Sequence, residues 1–131
     1  MLTDEELLAG FENASLSNDS FHHEQHVRVA WMFVRRYGMP DALARFSAAL
    51  KRFAEAKGTP GLYHETITWA YLLLIAERLA RGPLDPWDRF AAHNSDLLTR
   101  KPSLLDRYYA PGTLGSDLAR RTFVMPDRSL A

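Results

Sequence analysis

Three joints divide most of this chain: Gly38-Met39-Pro40, Gly58-Thr59-Pro60 and Gly82-Pro83. Each sets a glycine where a helix can close and a proline where it cannot continue. Between the joints the apolar residues recur at three- and four-residue spacing, and no alternating run is present that would build a strand. A second helix is therefore expected from an N-cap at Asp19 or Ser20 to Tyr37, and a third from Pro40 to Lys57. The fourth starts between Pro60 and His64 and ends at Arg81. Ahead of them, Thr3 and Glu6 form a capping box for a first helix over about residues 4–14. Asp85 as N-cap and Pro86 open a fifth that closes at Ala92 or His93. Short helical turns are expected near 96–100, 103–109 and 116–121, and the apolar tail Phe123–Pro126 should pack back on the domain. The predicted fold is all-α: a compact single-domain bundle of about five main helices over about residues 3–93, with an irregular C-terminal wrap over 94–131.

Helices two and four stand apart. Ile67–Ala76 is nearly apolar on all sides, and across Val27–Val34 only Arg28 interrupts. A helix without a polar face belongs at the centre of a bundle or in a subunit interface, so a homodimer is among the expected partners.

Composition narrows the function. With 131 residues, 47% of them hydrophobic, the chain can bury a core without cross-links. Sixteen basic residues balance sixteen acidic ones, which gives no bulk attraction to nucleic acid or an anionic membrane. Six acids precede residue 28 with no Lys or Arg among them, a placement that favours helix N-termini. The absence of cysteine excludes disulfides, thiolate metal sites and thiol nucleophiles, and fits a reducing compartment. The longest wholly apolar run, Trp69–Ala76, falls far short of the ~20 residues of a membrane span. The acidic N-terminus has no signal-peptide core. The expectation is a cytoplasmic protein whose partner is a small molecule, not nucleic acid or a membrane.

Short links make sequential helices antiparallel, so helices two and four run parallel with their N-termini at one end. The C-termini of helices one and five arrive there too. That end collects His22, His23 and His26 from helix two, His64 and Glu65 from helix four, Glu12 from helix one, and His93 with Asn94 from helix five. His22 and His26 are one turn apart and leave the same face, which continues inward through Val29 and Phe33. His64 and Glu65 likewise head largely apolar stripes.

Imidazoles joined by a carboxylate at a partly buried bundle end make a donor set for Fe, Mn, Ni or Zn. The first expectation is accordingly a small metal-dependent enzyme. His22, His26 and His64 would be ligands of a divalent transition metal, with Glu65 as fourth ligand or general base. Zinc would imply hydrolytic or lyase chemistry, iron O2-dependent chemistry. Glu12, His23, Tyr63, His93, Asn94 and Arg107 are candidates to surround the metal or face the substrate. Local signatures do not sharpen this. His22-His23-Glu24-Gln25-His26 is not H-E-x-x-H, and His22-His23-Glu24 lacks the cysteines of a deaminase. The competing expectation is a metal-free module that binds an anionic small molecule at the converging helix N-termini, with protonated histidines as donors and Arg107 as a clamp.

Overall fold

A computed structural model describes residues 2–17 and 21–128. The helices are α1 (Asp4–Glu12), α2 (His23–Tyr37), α3 (Asp41–Ala56), α4 (Glu65–Arg81), α5 (Trp87–His93), α6 (Ser95–Leu98), α7 (Pro111–Leu114) and α8 (Asp117–Arg121). Single 3-10 turns lie at Pro60–Leu62 and Leu104–Arg107, and no strand is present among the described residues. The chain is an all-α bundle with five main helices, as its spacing predicts.

The caps follow local chemistry. Thr3 accepts the Glu6 N–H, and Glu6 returns a bond to the Thr3 N–H, completing the capping box of α1. Asp19 and Ser20, the expected caps of the second helix, lie outside the described residues; His22 holds the N-cap position in extended conformation. Gly38 and Gly58 close α2 and α3 at φ 69° and 74°, where a β-carbon would be strained. Gly82 ends α4 differently, extended at φ −102°, ψ 177°. Pro83 follows it directly, and a residue before proline is pushed out of the helical region. Asp85 does not cap α5, which starts one residue late with Pro86 at the N-cap.

The core assembles around α2 and α4. From α2, Val27, Val29, Ala30, Trp31, Phe33 and Val34 are buried; from α4, Thr66, Thr68, Ala70, Leu72 and Ile75. α4 packs on α2, α3 and α8, which gives its apolar circumference a place inside the domain. Phe11 of α1 is fully buried among the rings of Phe21, Phe33, Phe46 and Phe53, with centroids 5.2 to 5.9 Å away. Burying one such ring contributes about 1.5–3 kcal/mol, and each ring pair about 0.5–1.5 kcal/mol more. A second aromatic group, Trp31 with Trp87 and Phe90, fastens α5 to α2.

The C-terminal wrap is more ordered than an irregular segment. Thr66 of α4 donates to the Thr122 carbonyl and accepts the Val124 N–H. Tyr109 donates to the Val124 carbonyl at 2.7 Å, and Phe123 stacks on Trp69 with centroids 5.5 Å apart. Only the first half of the apolar tail packs, since Met125 stays 71% exposed.

Candidate functional site

The first turns of α2 and α4 open at the same end of the bundle, together with the last turn of α3. Between them lies a cavity of about 650 Å³, closed on its far side by residues 100–114. Four of the five histidines line it: His22, His23, His26 and His64. Its cationic side chains are Lys57, at the end of α3, and Arg100, in the link after α6. No Asp or Glu is among the described residues of its wall.

The histidines are not equivalent. His64 is the N-cap of α4: its Nδ1 accepts the Ile67 N–H at 3.1 Å, and its Nε2 donates to the Leu114 carbonyl at 2.7 Å. These two bonds require the Nε2–H tautomer and use both ring nitrogens. His23 donates from Nε2 to the Leu97 carbonyl at 2.9 Å and turns its ring edge to Tyr71, leaving Nδ1 as an acceptor. His26 stacks on Phe21 with ring centroids 3.9 Å apart. Burial, and after it the neighbouring charges of His23, Arg100 and His22, lower its pKa to about 4, so the ring is neutral near pH 7. His22 sits exposed at the rim and anchors the helix start through its backbone N–H, which donates to Gln25 Oε1 at 3.0 Å.

The tyrosines and hydroxyls of the wall are also engaged. Tyr63 donates to the Glu65 carboxylate, and burial, reinforced by that bond, pushes its phenol upward. Tyr71 pairs with Ser103 at 3.3 Å, and burial raises its phenol as well. Thr68 donates to the His64 carbonyl.

Five of the residues singled out from the sequence thus share the cavity: His22, His23, His26, Tyr63 and His64. The others do not reach its wall. Glu65 turns to Tyr63, and Glu12 is exposed beside a shallow depression on α1 with Arg36. His93 is 68% exposed with its Nδ1 3.7 Å from Asp85. Asn94 accepts from Arg78 and donates to the Phe90 carbonyl. Arg107 is exposed at the end of its 3-10 turn, so the cation from the C-terminal segment is Arg100 instead. His93 separates from the other four because α5 docks through Trp87 and Phe90 on Trp31, deep along α2 and not at its first turn.

Among the described residues, no group of three or more His, Asp or Glu side chains is arranged to hold a metal ion. No helix among them is long and apolar enough to cross a membrane.

Lys57 and Arg100 were not evident from the sequence. For Lys57 a signal existed: α3 runs back between two parallel helices, so its C-terminus must arrive at their N-terminal end. For Arg100 none existed, because nothing local distinguishes it from Lys101 or Arg107 in the same irregular stretch. No family model, no curated protein and no solved structure matches the chain.

Proposed function

We propose that this protein binds a small anionic molecule in the cavity at the histidine-rich end of the bundle. One observation carries the reading: a wall that gathers four imidazoles, Lys57 and Arg100 holds no carboxylate. Cations in a partly enclosed cleft, with low-dielectric walls and no acid to neutralise them, favour an anion. The N-termini of α2 and α4 open on the same space and add dipoles of the same sign. The volume falls within the roughly 300–1,000 Å³ of sites that enclose whole small molecules.

The metal-dependent enzyme remains a second reading, favoured by His22 and His26, one turn apart on the same cavity wall. A divalent Fe, Mn, Ni or Zn ion bound with His64 would have to displace either the Ile67 N–H or the Leu114 carbonyl from its ring. Glu65 would have to leave Tyr63. The anion requires neither change.

Thermal stabilisation separates the two. Untagged protein is melted with carboxylates and phosphates of graded size, with the four divalent metals, and with chelator. Binding of an anion stabilises the fold by mass action and needs no imidazole lone pair. Metal binding weakens as pH falls, because protons compete for imidazole nitrogen. Stabilisation by metals alone, reversed by chelator, would overturn the anion reading.

A further inference from the structure

The cavity is not a uniformly polar bowl. Its inner wall is made by Phe21, Phe46 and Phe53, which belong to the ring cluster around Phe11, together with Val27, Ala30 and Leu105; each of these six is at most 6% exposed. Apart from the His26 ring and His23 Nδ1, most polar side-chain atoms that reach the interior are already bonded to protein. Thr68 is held by the His64 carbonyl, Tyr71 by Ser103, Tyr63 by Glu65, and His64 at both nitrogens. A polar ligand body buried there would therefore lose its water and gain few partners.

The rim is the opposite. Arg100 is exposed and Lys57 half-buried with its ammonium 5.4 Å over the Phe53 ring, and among the described residues no hydrogen bond or ion pair reaches the Arg100 guanidinium or the Lys57 ammonium. The unpaired cations lie at the mouth, and the inner wall is mostly apolar.

Resting on the anion reading above, we infer that the ligand is an amphiphilic anion, its alkyl or aryl body against the phenylalanine wall and its single anionic head between Arg100 and Lys57. A compact inorganic anion leaves the inner wall unfilled, and an uncharged alcohol leaves the rim cations unused.

The test is calorimetric titration of the full chain with acetate, butyrate, hexanoate, octanoate, inorganic phosphate, 1-octanol and octylammonium. Affinity is expected to rise about fourfold for each methylene buried, until the inner wall is filled. Octanoate should bind more tightly than octanol, and octylammonium should bind least. Arg100→Gln and Lys57→Gln, both changes on accessible side chains, should each lower octanoate affinity by up to about fivefold and leave octanol unchanged. Acetate or phosphate binding as tightly as octanoate would overturn the amphiphile and leave the anion reading standing. Octanol or octylammonium binding as tightly as octanoate would overturn the anion reading itself.

Discussion

His64 holds Leu114 across 50 residues of chain: its Nε2 donates to the Leu114 carbonyl at 2.7 Å, while Nδ1 accepts the Ile67 N–H in the first turn of α4. One side chain thus caps a helix and ties the C-terminal wrap to the wall of the cavity. A metal-ligand reading of His64 rests on its position, which the fold does bring to the cavity, and on ring nitrogens that are both engaged elsewhere. His64→Ala should cost about 2 kcal/mol, from the lost cap and a half-buried carbonyl left unpaired. His64→Asn can still cap α4, and should recover about 1 kcal/mol of that loss in urea unfolding.

His26 gives the fold an acid limit. Above about pH 6.5 the imidazole is neutral in both folded and unfolded chains. Below it the unfolded chain takes up a proton that the folded chain refuses until about pH 4, so stability falls as pH drops through that window. The full effect by pH 4 is about 3 kcal/mol. His26→Phe, which can keep a ring against Phe21, should remove most of this dependence. Denaturant midpoints measured at several pH values for both proteins decide it; parallel curves would show that His26 is not the group responsible.

Thr66 should matter out of proportion to its size. It is fully buried and bonds both the Thr122 carbonyl and the Val124 N–H. Thr66→Val keeps the shape but orphans both, at an expected cost of about 2 kcal/mol. Thr66→Ser keeps both bonds and loses a methyl, at about 1 kcal/mol. Faster proteolysis near residues 122–128 in the valine variant would report the released tail.

Two substitutions at the end of α1 should run against simple propensity. Alanine in place of a mid-helix glycine normally stabilises by about 1 kcal/mol. At Gly10, however, a β-carbon would meet Leu16 Cγ at 2.7 Å, so Gly10→Ala should destabilise. Ala14, four residues on, takes a left-handed conformation at φ 58°. Ala14→Gly should relieve it and raise the melting temperature, by a free energy of about 1 kcal/mol.

Helix existence and type were legible locally because caps, glycines and prolines act within one turn of themselves. Thr3 with Glu6, Gly38 and Gly58 do in the fold what their residue types require. The parallel course of α2 and α4 was legible too, because short links leave the chain no other way back. That sufficed to bring His22, His23, His26 and His64 to one cavity. The sequence could not say what each ring nitrogen would bond. That depends on the Leu97 and Leu114 carbonyls, 74 and 50 residues away in the chain. Nor could it separate Arg100 from Arg107, or keep His93 out of the site. Those outcomes follow from where α5 docks on Trp31 and how residues 100–114 close the bundle, and such packing depends on the whole surface left open by the other helices. Local hydrogen-bond geometry therefore determined the elements, and tertiary packing alone decided which charges face the cavity and which lone pairs remain free.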